Sequence, residues 1–219
     1  MTRIKVCGIT CLEDALLCAN AGADAIGFVF ADSPRRIDPE LARDIAAQLP
    51  PFLCTVGAFV NAHTQEGLLQ RCLPFLHAVQ FHGDEPPSFV ESVPSVRIKS
   101  FRVSTRGDLA EIPEYLGKVH AVLLDTFVPG AQGGTGASFD WSLAVQAQTF
   151  RVPLVLAGGL EPDNVAGAVK TVHPYAVDAS SRLELAPGRK DPEKVCRFIR
   201  EVRRADLAAE SERGGSAHV

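Results

Sequence analysis

No apolar run in this 219-residue chain is long enough to cross a bilayer, which takes about 20 consecutive apolar residues. The chain opens on a strand-like pattern instead of a charged segment followed by a long apolar core, so no signal peptide is expected. The six cysteines do not make a disulfide framework for a chain of this length. Cys18, Cys54, Cys72 and Cys196 sit in apolar or helical contexts, which fits reduced thiols and a cytoplasmic protein. Cys7 and Cys11 have CxxxC spacing, but no second Cys/His pair follows at zinc-like spacing, so no metal is expected. The net charge of −4 argues against a general nucleic-acid binder. It leaves room for a local anion site. There is also no Gly-rich dinucleotide fingerprint after the first strand, where Cys7-Gly8-Ile9-Thr10 stands instead.

What the chain has is alternation. Hydrophobic residues make up 46% of it, enough for one domain with a sizeable core. Strand-like runs end near Cys7, Phe30, Val60, Phe81, Phe101, Asp125, Ala157 and Asp178, and helix signals follow them. Thr10 and Glu13 have capping-box spacing. Asp38-Pro39-Glu40 opens a helix with a cap, a first-turn proline and an acid. Pro86-Pro87, Leu109, Asp140, Pro162 and Asp191-Pro192 mark later helical starts or short helical pieces. Crossover helices imply parallel strands, and near-continuous apolar runs imply strands buried on both faces. Eight such units in about 200 residues is the lower size limit of a TIM barrel. The expected fold is therefore α/β, a single (β/α)8 TIM barrel of the phosphate-binding type, over residues 1–207. Residues 208–219 read as a flexible tail.

On such a barrel the chemistry gathers at the C-terminal ends of the strands. Asp24 opens its strand and belongs to the opposite, stabilising face. Cys7, His82, Asp125 and Asp178 close theirs. Gly158-Gly159 and Ser180-Ser181 follow the seventh and eighth strands, where backbone N–H groups commonly hold a phosphate. Ordinary tight turns are the bland alternative, and the pairing of the two loops favours phosphate. Arg35-Arg36 could grip a carboxylate with two parallel hydrogen bonds, or be a solvated charge pair. Lys5 shares a strand face with Cys7 by period-two alternation and could favour its thiolate. A satisfied loop histidine is the better reading of His82. Asp178 could hydrogen-bond the backbone of the phosphate loop. Gly133-Gly134-Thr135-Gly136 reads as a lid or a flexible connection.

The stretches KVCGIT (5–10), GADAIGFVF (22–30), SPRRI (33–37), VQFHGDE (79–85), LLDT (123–126), GGTGASFDW (133–141), LAGGLEPDNV (156–165), VDASS (177–181) and PGRKD (187–191) stand in a fixed order. In this the chain resembles the phosphoribosylanthranilate isomerase family of tryptophan biosynthesis over about residues 3–203. The resemblance implies an Amadori rearrangement of N-(5-phosphoribosyl)anthranilate without cofactor or metal. It implies Cys7 as base and Asp125 as acid, with Arg35 on the anthranilate carboxylate. Gly158, Gly159, Ser180 and Ser181 would hold the phosphate, and Asp178 is counted with the substrate-binding residues. In such a site the thiol is expected to titrate below its usual range, beside cationic groups. The expected partner is the small-molecule substrate, with no nucleic acid or membrane, in a monomer or homodimer. One departure stands out: the family usually has glycine and valine after the two serines, and this chain has Arg182-Leu183. Other sugar-phosphate barrel enzymes share the last two loops, but their lysine or metal-histidine sets are not evident here. A non-catalytic sugar-phosphate sensor is the remaining alternative.

Overall fold

The computed structural model describes residues 1–125 and 141–215. Eight parallel strands close into a barrel in sequence order: β1 (Arg3–Cys7), β2 (Ala25–Val29), β3 (Cys54–Phe59), β4 (Ala78–Phe81), β5 (Val96–Arg102), β6 (Ala121–Asp125), β7 (Leu154–Ala157) and β8 (Ala176–Ala179). β8 pairs back onto β1, with Lys5 opposite Asp178. The surrounding helices are α1 (Leu12–Ala21), α2 (Pro39–Ala46), α3 (Glu66–Cys72), α4 (Pro87–Ser92), α5 (Ser142–Ala147), α6 (Val165–Val172) and α7 (Pro192–Gly215). Between β5 and β6 a 3-10 stretch, Arg106–Tyr115, takes the helix's place, with Pro113 inside it. A proline there removes a backbone donor and disfavours an α-helical run. Between β8 and α7 the strands β9 (Glu184–Ala186) and β10 (Arg189–Lys190) form a small antiparallel pair.

Side-chain alternation along each strand sorts two cores. Phe28, Phe59 and Phe81 point outward and are fully buried, as is Phe198 of α7. Inside the barrel a smaller cluster is made by Ala121, Leu123, Val155, Ala157 and Ala176, with Ile98 against it. Four polar side chains share that interior: Lys5, Gln80, Ser100 and Asp178 are all buried.

Most of the start signals are used as expected. Asp38 accepts from Glu40 N at 2.9 Å and Leu41 N at 3.4 Å, a cap of about 1 kcal/mol. Asp191 does the same for α7, through Glu193 N at 3.0 Å and Lys194 N at 3.2 Å. Thr10 does not. The residue before α1 is Cys11, without a side-chain cap, and the Thr10 hydroxyl donates to Gly188 O at 2.6 Å. A tertiary partner on the β9–β10 turn has taken the group that local spacing assigned to a capping box.

The N-terminal face is braced by charge. Asp24 accepts from Ile4 N at 2.9 Å, Arg3 at 2.9 Å and Arg203 at 2.8 Å, which makes it a structural residue. Asp206 binds both Thr2 N and Thr2 Oγ1 at 2.7 Å, tying α7 to the first strand. α7 itself continues to Gly215, past the point where a flexible tail was expected. The residues beyond Ala208 include strong helix formers (Ala209, Glu210, Glu212, Arg213) and no breaker before Gly214. No helix among the described residues is long and apolar enough to cross a membrane.

Candidate active site

The C-terminal mouth of the barrel holds a hollow of about 380 Å³, within the size range of small-molecule sites. One wall carries Gly158, Gly159, Ser180 and Ser181, and Cys7, Asp125 and Asp178 also line it. So do Gln80 and His82 from β4 and its exit, and Leu123 from β6. With Asp32 and Ser33 after β2, six of the strands thus contribute polar side chains or open turns to one space. Gly133–Gly136, the lid candidate, lies outside the described residues, as does Thr126 after Asp125.

The two phosphate-loop candidates are built differently. Gly158 and Gly159 both have positive φ, 92° and 61°, a region that side chains disfavour. Asn164 braces the turn, donating to Gly159 O at 3.0 Å and accepting from Glu161 N at 2.9 Å. After β8, Ser181–Leu183 form a short 3-10 turn. Arg182 lies on that turn and lines the hollow. Among the described residues the non-glycine positions with positive φ are Asn61, Arg151 and His173. The loop therefore accepts arginine, where the resemblance led to an expected glycine, without backbone strain.

Cys7 is 9% exposed at the floor of the hollow. Its thiol is held above the usual range. Burial is the main cause, Lys5 and Lys190 pull the other way, and Asp178 adds to the rise. This corrects the expectation of a depressed thiol. The nearest cation, Lys5, is engaged by Asp178 at 2.8 Å, with both side chains buried, so its charge is largely offset. Asp178 spends one oxygen on Lys5 and none on the loop backbone. Its Oδ1 has no hydrogen-bond partner among the described residues. Asp125 closes β6, half-buried, in register with Arg102 of β5. His82 is in contact with Gln80, and burial, with help from Lys5, Lys99 and Arg102, lowers its pKa to about 3. It is neutral at physiological pH.

Arg35 and Arg36 diverge. Arg36 is exposed and lines a separate outer hollow with Ile37 and Leu68. Arg35 turns toward the mouth, where its side chain and that of Ser180 meet over Gly8. It is not free there. Nε donates to Glu184 at 2.9 and 3.1 Å, and Nη2 at 2.7 Å. Glu184 also takes Lys190 Nζ at 2.8 Å, and Lys190 Nζ reaches Ser180 O at 3.3 Å. Burial works against the Glu184 charge, but the hydrogen bonds from Arg35 and Lys190 outweigh it and hold its pKa down. This network lies directly under the β8 loop. Sequence reasoning missed it, because Glu184 and Lys190 look like solvated loop charges and only the β9–β10 pairing turns them inward. Gln80 and Ser100 were also missed. Their signal was available: each is a polar residue at an inward position of an apolar strand.

Residues 4–201 match the family of N-(5′-phosphoribosyl)anthranilate (PRA) isomerases. An N-(5′-phosphoribosyl)anthranilate isomerase of Geobacter sulfurreducens is 53% identical over 206 residues, covering 93% of this chain and 99% of the relative. A phosphoribosyl anthranilate isomerase solved with reduced 1-(o-carboxyphenylamino)-1-deoxyribulose 5-phosphate superposes with a TM-score of 0.81 at 40% identity. It covers 93% of this chain and 99% of its own. A structure of monomers generated from the dimeric enzyme of Thermotoga maritima gives 0.80 at 38%, with 93% and 99% covered. Agreement along nearly the full length of every chain compared means that this chain belongs to the N-(5′-phosphoribosyl)anthranilate isomerase family.

Proposed function

We infer that the protein isomerises N-(5′-phosphoribosyl)anthranilate to 1-(o-carboxyphenylamino)-1-deoxyribulose 5-phosphate. The observation that carries this reading is one mouth hollow lined by a thiol, a carboxylate and two open turns. The phosphate sits between Gly158-Gly159 and Ser180-Ser181, where positive-φ glycines let it approach the backbone. The ribose then lies over the floor, between Cys7 on β1 and Asp125 on β6.

The chemistry needs one acid and one base on opposite sides of the sugar. Asp125 gives a proton to the ring oxygen as the C1′–O bond breaks, and the anilino nitrogen supplies the electrons for the iminium. The proton on C2′ becomes acidic beside that iminium. The Cys7 thiolate takes it, and the electron pair moves to form the enolamine, which tautomerises to the ketone. No electrons are exchanged with an outside group. The test is conversion of phosphoribosylanthranilate by the pure protein, together with growth of a tryptophan auxotroph that lacks this step. A pure, folded protein that leaves the substrate unchanged would refute the reading.

Arg35 is the candidate for the anthranilate carboxylate. Glu184 holds Nε and Nη2, so Nη1 is the atom outside that pair. Arg35→Met is expected to raise KM several-fold with kcat nearly kept, because it removes a handle and no proton. Glu184 keeps Lys190 as its partner, so the fold should tolerate the change. Arg36→Met should do less, since Arg36 faces away. Steady-state kinetics decide it: a larger KM effect at Arg36 would take the carboxylate away from Arg35.

A further inference from the structure

Lys5 is a buried cation that takes no part in the proton transfers of the isomerisation. It lines the hollow at the N-terminal end of the barrel and not the mouth, so it reaches substrate only through other groups. Two such groups flank it. Asp178 Oδ2 is 2.8 Å from Nζ. The Cys7 thiol stands on the same face of β1, two residues on, and interacts with Nζ.

Gly27 shows that this arrangement takes space from the neighbouring strand. It stands opposite Cys7 in the β1–β2 register. A Cβ there would come within 2.7 Å of Cys7 Sγ and 3.1 Å of Lys5 Cε. Gly27 is not among the glycines with positive φ, so what it supplies is room for the thiol and the lysine stem.

The carboxylate opposite Lys5 is half used. Asp178 is 8% exposed, lines the mouth, and leaves Oδ1 without a hydrogen-bond partner among the described residues. A buried acceptor without a partner is costly, and since Asp178 borders the mouth hollow a donor on a bound ligand is what would relieve it. Sugar hydroxyls are donors of the right kind.

We propose that Lys5 is the positioning residue of the Cys7 base, with Asp178 as its counter-charge. A sugar hydroxyl donating to Asp178 Oδ1 draws on that carboxylate and leaves Lys5 to the thiolate. Substrate binding then activates the base that acts on it, a thiol that burial otherwise holds above its usual range. Lys5 keeps its protons throughout. The only proton that moves in this step goes from C2′ to sulfur. The other charged or titratable groups near the thiol are Lys190 of β10 and Arg35 after β2, both bound to Glu184. Cys54 of β3 interacts with Lys5, neutral His82 follows β4, and Asp125 lies on β6. The proposal rests on Cys7 being the base.

The first test needs no turnover. Iodoacetamide labelling of Cys7 in the intact enzyme, followed by mass spectrometry of its peptide, gives the pH at which the thiolate forms. Asp178→Asn removes the counter-charge and should lower that pH by about 1 unit or more. The double variant Lys5→Met/Asp178→Asn leaves no unpaired buried charge and should titrate above the wild type. Coincident titrations, or a double variant below the wild type, would overturn the role of Lys5. The second test compares pH profiles of kcat/KM, which report the free enzyme, with those of kcat, which report the complex. In the wild type the acid limb of kcat should lie at lower pH, and Asp178→Asn should close the gap. Equal limbs in the wild type would overturn the activation by substrate. If Cys7 is not the base, Cys7→Ala will show that in turnover, while the labelling result stands unaffected.

Discussion

Cys7→Ala should abolish turnover and leave the fold intact. The two halves of that expectation have different grounds. Removing a positioned base costs on the order of 10²- to 10⁴-fold, and Cys7 is the only thiol lining the mouth hollow among the described residues. The remaining cysteines lie elsewhere: Cys18 is buried and burial pushes it up to about 12, and Cys196 is exposed on α7. The fold should survive because sulfur is not what holds the floor together. Lys5 keeps Asp178 at 2.8 Å in the variant, so no buried charge is orphaned. The measurements are kcat and a thermal unfolding curve. A folded variant that turns over near the wild-type rate would remove Cys7 from the mechanism. The wild-type pH profile carries the same sign. The working form is the thiolate, present above the thiol's pKa, so the rate falls as pH drops through that value. Because burial raises the value in the free enzyme, alkylation of Cys7 should require a higher pH than that of an ordinary cysteine.

How much of this was legible in the sequence depends on the distance over which each feature is decided. The barrel was legible, because apolar runs and helix signals are local, and each strand run ends within a residue or two of the observed strand. The placing of the two small-residue loops was legible for the same reason: Gly158-Gly159 and Ser180-Ser181 sit at strand exits, and a closed barrel brings all exits to one face. The capping box at Thr10 was not, because its hydroxyl is claimed by Gly188 O, far away in the chain. Nor was the state of the thiol. Alternation correctly put Lys5 beside Cys7. The pairing of β8 with β1, which sets Asp178 opposite Lys5, is a closure contact that no local pattern contains. The Arg35–Glu184–Lys190 network belongs to the same class. Its members are spread from residue 35 to residue 190, and the charge pattern around each looks like solvated loop. Arg182 is the reverse case, a local departure whose effect the local backbone decides: the turn keeps negative φ, so arginine fits.

Asp125→Asn should cost kcat by at least about 10²-fold, the scale expected of a positioned acid, with little change in KM. Asparagine matches aspartate in size and can still hydrogen-bond, so contacts that Asp125 makes in the ground state are approximately kept. What it cannot do is give a proton to the ring oxygen. His82 is neutral, with a pKa lowered to about 3, and so holds no labile proton to give at working pH. Asp178 is engaged by Lys5 and lies on β8, adjacent to β1. It is therefore on the same side of the barrel as the thiol, whereas β6 lies three strands away from β1. An acid and a base on one side would compete for the same face of the sugar. The pH–rate profile separates these possibilities. In the wild type the alkaline limb reports loss of the acid's proton, and the acid limb reports loss of the thiolate. Asp125→Asn should keep the acid limb and lose the alkaline one. A variant that keeps both limbs would move the acid role to another group. Asp178 would be the first to try, because it lines the mouth and its buried Oδ1 has no hydrogen-bond partner among the described residues.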